Sequence, residues 1–132
     1  MYRVIIIDED EITRNIKLQN INTGTIDDCF DDSALVSNIC FNFMSIGEEY
    51  DCKIKLFGNV VQEKQEKAVL CKVICWNIIV GTNSMVKVLV DNDEYYIPQK
   101  KLVKAMYLDS FYFRYTRKDL IQVNDIIHAD ML

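Results

Sequence analysis

Three groups of side chains in this chain have the chemistry to act on another molecule. The first mixes planar rings with cations in the second half: Tyr95, Tyr96, Lys100, Lys101, Lys104, Tyr107, Tyr112, Arg114, Tyr115, Arg117 and Lys118. Single-strand nucleic-acid binders need that mixture, with rings to stack bases and cations to neutralise phosphates. Tyrosine is also an ordinary β-core residue, and lysines on a helix face are ordinarily solvated. The second group is acidic: Asp27, Asp28, Asp31 and Asp32. Calcium takes six to eight oxygens at a defined loop spacing with glycine, and Ile26-Asp-Asp-Cys-Phe-Asp-Asp-Ser33 lacks it. No metal ligand set is therefore assigned. The acids are expected to form a solvated edge that discourages strand pairing, or a surface for a basic partner.

The third group is the thiols, Cys29, Cys40, Cys52, Cys71 and Cys75, with a single histidine, His128. Cys71 and Cys75 would share a face of a strand about 13 Å apart, too far for one zinc. The count is odd and the spacing irregular, which suits reduced, buried thiols in a cytoplasmic protein. A cysteine nucleophile paired with His128 would need the fold to bring them together. No phosphate loop, dinucleotide fingerprint, nucleophile elbow or zinc-protease motif is present. The chain is expected to be non-enzymatic and to need no cofactor.

Composition narrows the partners. The chain has 132 residues, half of them apolar, with a net charge of −5. That is one domain, residues 1–132, with enough apolar material for a core. Residues 1–52 carry 11 acids and 3 bases, a net of −8, and the remainder carries +3. Overall acidity opposes non-specific binding to nucleic acid or anionic lipid. No run approaches the roughly 20 apolar residues of a membrane helix, so no membrane contact is expected. The wealth of Ile, Asn, Lys, Asp and Tyr suits an AT-rich, bacterial genome.

The elements that must position these residues read as short strands. Tyr2–Ile7, Thr13–Ile21 and Thr25–Phe30 form an antiparallel meander, with Asn22-Thr23-Gly24 as a turn. Asp32 or Ser33 caps a helical turn through Ala34–Val36, and Phe41, Phe43 and Met44 plug one end of a barrel. In Glu49–Phe57, Tyr50, Cys52, Ile54 and Leu56 alternate with Asp51, Lys53 and Lys55, so apolar and charged sets face opposite ways. Gly58–Lys67 is read as a loop or short helix. Ala68–Val80 is nearly all apolar and is expected to be a strand buried on both faces, with a buried helix as the competing assignment. Met85–Val90 and Glu94–Ile97 form a hairpin ended by Pro98. Gln99–Met106 is a short helix with Leu102, Val103 and Met106 inward. Asp109–Thr116 and Leu120–Ile127 are closing strands.

Two segments carry a resemblance. Ile46-Gly-Glu-Glu-Tyr-Asp-Cys-Lys-Ile54 looks like the opening of the first strand in many OB-fold barrels. Ile121-Gln-Val-Asn-Asp-Ile-Ile127 is similar to their approach to the closing strand, with Asn124 where glycine is usual. The expected fold is all-β with one or two short helices: a small, partly open, OB-like barrel with an extra N-terminal meander. A fold does not assign a function. The leading expectation is a binding module acting through protein–protein contacts, with self-association through strand edges as one form. Next comes a single-strand nucleic-acid binder using Tyr95, Tyr96, Lys100, Lys101, Lys104, Tyr112, Arg114, Arg117 and Lys118. An enzyme with a cysteine or carboxylate site ranks third.

Overall fold

Period-two alternation becomes ladders over most of the chain. The computed structural model describes all 132 residues. Its strands are β1 (Tyr2–Asp10), β2 (Thr13–Asn20), β3 (Ile26–Asp31), β4 (Glu49–Tyr50), β5 (Cys52–Val61), β6 (Ala68–Val80), β7 (Asn83–Val90), β8 (Asp93–Pro98), β9 (Ser110–Val123) and β10 (Ile126–Ile127). One helical turn, α1 (Ser33–Val36), follows β3, and 3-10 segments occupy Gln99–Ala105 and Ala129–Met131. The strand order is β4-β1-β2-β3-β9-β5-β8-β7-β6. A further ladder from Ala68–Lys72 to Ser110–Arg114 joins β6 back to β9. It closes β5 to β9 into a five-stranded barrel, a ring expected to be partly open. The meander β1–β2–β3 attaches outside the ring through one parallel bridge, Phe30 to Asp119.

β9 is the hub, because it pairs with β3, β5, β6 and β10. Its pairing with β5 slips twice, leaving Thr116 and Ile121 as extra residues. Each bulge bends the strand and raises its twist, which lets one strand serve the ring at one end and the meander at the other. Gly58 sits opposite the first bulge. A Cβ there would overlap the carbonyl oxygen of Arg114 and lie 2.7 Å from the Tyr115 Cα.

One cluster of 22 buried residues spans both parts. Val4, Ile16 and Leu18 of the meander pack with Ile54, Leu56 and Phe113 of the barrel. Tyr50, Cys52, Ile54 and Leu56 all face that core, as their alternation requires.

Several expectations are corrected. Ala68–Val80 is a strand, but only Cys71 and Val80 along it are buried. No second layer covers its outer face, so its apolar run is half exposed. Cys71 is buried and Cys75 exposed, because register shifts between Val73 and Ile78 break the alternation. The strand starting at Cys52 runs on to Val61, into the expected loop, and the two closing strands are joined as Ser110–Val123, with Ile126–Ile127 set off beyond a turn as β10. Gln99–Ala105 is a 3-10 segment kinked at Leu102. With three residues per turn, Leu102 and Ala105 share the inward face, while Val103 is 65 % exposed and Met106 is also exposed. Phe41 and Met44 join the core, but Phe43 lies exposed against Tyr50. Neither Asp32 nor Ser33 caps α1 through its side chain.

Gly58→Ala is expected to cost about 3 kcal/mol or more, because β9 backbone occupies the space a Cβ needs. Gly24, at φ +79° with open space around it, is the control. Gly24→Ala should cost only the left-handed penalty, about 1 kcal/mol. Denaturant midpoints of the two variants check the contrast.

Candidate interaction surface

Half of the expected acidic edge lies inside the protein: Asp27 and Asp31 are buried, whereas Asp28 is exposed and Asp32 half-buried. β3 pairs with β2 along its length and with β9 through the single bridge from Phe30 to Asp119. Its alternation turns Asp27, Cys29 and Asp31 inward, and both aspartates are only 2 % exposed. Asp27 accepts hydrogen bonds from the Tyr95 hydroxyl, 2.9 Å to either oxygen, and from the Lys118 ammonium. Asp31 accepts from Arg14 Nε and Nη2 at 3.0 and 2.8 Å, and Arg14 Nη2 also reaches the Phe41 carbonyl at 2.6 Å. Asp28 pairs with Lys17, and Asp32 with His128.

The eleven ring and cation residues fall into separate places. Tyr95 and Lys118 belong to the buried Asp27 network, with Lys118 Nζ 5.0 Å from the Tyr115 ring centre. Burial works against the charge on Lys118, but its bond and charge attraction to Asp27 outweigh this and raise its pKa. Arg117 is clamped between the rings of Phe30 and Phe57, 4.8 and 4.7 Å from their centres. Its guanidinium forks onto Asp119, which also faces Lys55 at 3.6 Å. Tyr96 is buried, and Tyr112 and Arg114 lie on the other face of β9 from Phe111 and Phe113. Lys100, Lys101, Lys104 and Tyr107 are exposed together on the 3-10 segment and its exit, Tyr107 at 94 %. The structure therefore groups only these last four on one exposed segment.

A groove that the sequence did not signal lies beside them. The only tryptophan, Trp76, sits in the irregular part of β6, where Asn77 adopts φ +59°. A bulge re-aims a side chain. This one is held by a reciprocal amide contact: Asn77 N–H donates to Gln99 Oε1 at 3.0 Å, and Gln99 Nε2 donates to Asn77 Oδ1 at 2.9 Å. Trp76, Pro98, Leu102, Val103 and Met106 line a groove of about 360 Å³ with Lys100 at its side. The apolar character continues along β6. Beyond Lys72 that strand pairs only with β7, and Val73 N–H turns to Asp109 O at 2.8 Å. Ile74, Ile79 and Leu108 are exposed there.

Two other sites have some of their groups already engaged. A polar cleft of about 530 Å³ opens between the Asn20–Thr23 turn and the outer side of β7 and β8, with Lys53, Lys87 and Tyr96 in its wall. Asn20 Oδ1 accepts from the amides of Asn22 and Thr23, and Lys87 stands 3.7 Å from Glu94. Asp32, His128 and Asp130 bring ligand atoms within 4.8 Å of one another. The Asp130 amide donates to His128 Nδ1 at 3.0 Å, which leaves the neutral ring's proton on Nε2, facing Asp32 at 2.6 Å. A metal at Nε2 would have to displace that proton to an Nδ1 that is already accepting. The arrangement caps the C-terminal turn. No thiol takes part in it: the cysteine thiols of Cys29, Cys52 and Cys75 contact backbone carbonyls.

The chain matches no known family model, no curated protein and no solved structure at a significant level.

Burial pushes the Cys52 and Cys71 thiols up to about 12 and raises Cys29 as well. Burial, followed by the charge of Asp27, also raises Tyr2 and Tyr95. Each group, and Lys118, holds its proton more tightly folded than unfolded. Their contribution is complete below the unfolded values and is lost as pH rises. Denaturant midpoints should therefore fall above about pH 9, where unfolded thiols begin to ionise. Only Cys75 and, more slowly, Cys40 should react with a thiol reagent in the native state. Lys118→Met should cost about 3–5 kcal/mol by leaving Asp27 buried and unpaired, and Asp27→Leu combined with Lys118→Met should recover part of it.

Proposed function

We propose that this protein is a binding module acting through protein–protein contacts. The Trp76 groove is its docking site for an apolar segment flanked by acidic residues. The observation that carries this reading is the bulge clamped by Asn77 and Gln99, which holds the only tryptophan beside exposed Val103 and Met106. An apolar centre within a polar rim is interface anatomy, and Trp and Met are enriched in it. The polar lining here is Thr82, Asn83, Ser84, Gln99 and Lys100, with Lys101 and Lys104 exposed on the same segment, so acidic flanks complement its one cation and the two beyond it.

The barrel supports an OB-type reading in a permuted form. Around the ring the neighbours run β6, β7, β8, β5, β9 and back to β6, with β5 and β8 parallel. An OB barrel has its third strand beside its fifth, in parallel, and its fourth beside its first. Counting β6 as the first strand gives that cycle, and the 3-10 segment falls between the third and fourth strands. The resembling stretch from Ile46 then leads into the last strand of the cycle, β5, not the first.

A second reading follows from one observation. Tyr107 is exposed on the segment that carries Lys100, Lys101 and Lys104, and Trp76 is half-buried beside Lys100, which gives some of the ingredients for stacking single-stranded bases. The net charge of −5 opposes it.

Titration of Trp76 emission separates the two. A peptide with Leu and Phe anchors and glutamate flanks should shift the emission to the blue, and lysine flanks should abolish the effect. Met106→Asp should weaken binding at least tenfold, and Lys100→Glu/Lys104→Glu should do so with reduced salt dependence. Steep, salt-sensitive anisotropy changes with labelled single-stranded DNA or RNA, lost in Tyr107→Ala, would establish the second reading instead. If neither ligand binds at low salt, the groove is not a docking site.

A further inference from the structure

A different surface carries a second partner chemistry. β1 pairs with β2 along one side from Tyr2 to Asp10. On its other side β4 covers only Tyr2 and Arg3, and the Gly47–Glu48 backbone bonds only to Val4. From Ile5 to Asp10 the outer edge has no backbone partner. Such an edge is a template for another strand. Its flanking side chains are Asp8, Glu9, Asp10 and Glu11, all exposed and none in an ion pair. The other acids of the meander are mostly spent: Asp27, Asp28 and Asp31 pair with Lys118, Lys17 and Arg14. Within the meander the uncompensated negative charge is therefore concentrated along this open edge. Two apolar side chains border it, Ile6 on the strand and Ile46, 62 % exposed, where the covering segment ends.

We propose that the open edge of β1, from Ile5 to Asp10, accepts an extended basic segment of a partner protein by strand addition. The added strand would continue the line of β4. Its backbone would bond to β1, its cations would meet Asp8 and Asp10 on the outward face, and its alternate, apolar side chains would lie on the opposite face beside Ile7. A second copy of this chain is excluded as the occupant by charge, because pairing β1 with β1 would oppose two acidic runs.

The test uses a fluorescein-labelled peptide of alternating lysine and valine, an analogue N-methylated at alternate amides, and a glutamate–valine peptide. The first should bind, the second at least tenfold more weakly, and the third not at all. Hydrogen exchange should show new protection within Ile5–Asp10. Asp8→Lys/Asp10→Lys, both exposed, should weaken binding at least tenfold with an unchanged circular dichroism spectrum. Met106→Asp should leave it unaltered, which separates this site from the Trp76 groove. Equal binding of the N-methylated peptide would reduce the edge to plain charge attraction and overturn the proposal. Absence of binding at low salt, or a dimer held through β1 without peptide, would overturn it too.

Discussion

The buried carboxylate of Asp27 is the constraint on which the architecture turns. A charged group with almost no solvent contact is tolerated only when it is paired and hydrogen-bonded. Its partners come from the barrel, Tyr95 on β8 and Lys118 on β9. β3 shares just one backbone bridge with β9, so the ladder alone would leave the meander free to slide. Asp27 makes sliding costly, because a shift of one residue would expose the apolar side and strand the carboxylate. Asp93 repeats the device at the next turn, accepting from the Thr23 and Thr25 hydroxyls at 2.6 and 2.7 Å.

That docking explains the shape of β9. Its lower half carries Lys118 to the meander while pairing with β5, and its upper half completes the ring by pairing with both β5 and β6. One straight strand cannot serve both. The extra residues Thr116 and Ile121 supply the bend, and Gly58 supplies the clearance. The bulge in β6 is the same device turned to another end. There the backbone leaves the ring early, and a glutamine from the 3-10 segment secures it.

Local structure was legible wherever neighbours in sequence decide it. The alternation of Tyr50, Cys52, Ile54 and Leu56 named the inner face, and Asn22-Thr23-Gly24 marked a real turn. The barrel itself was legible as a class. Non-local pairing was hidden: nothing near Asp27 announces a lysine 91 positions later. Four aspartates among Ile26 to Ser33 therefore read as solvent-facing. The alternation of Asp27, Cys29 and Asp31 was the available signal, but inward acids contradict the usual polarity of a strand. The groove was hidden for a related reason. Trp76 stood inside an apolar run, and only the φ of Asn77 reveals that the run breaks there.

The fold also changes what the charge count means. By sequence the front half is simply acidic and the back mildly basic. Folding cancels much of both inventories, with Arg14, Lys17 and Lys118 spent on β3 and Lys55 and Arg117 on Asp119. Among the charges left uncancelled, two groups have a defined setting, acids beside an unpaired strand edge and lysines on the segment beside an apolar groove. Screening limits each to its own neighbourhood, about 8 Å at physiological salt. One small domain can therefore present two surfaces of opposite preference, and its net charge describes neither.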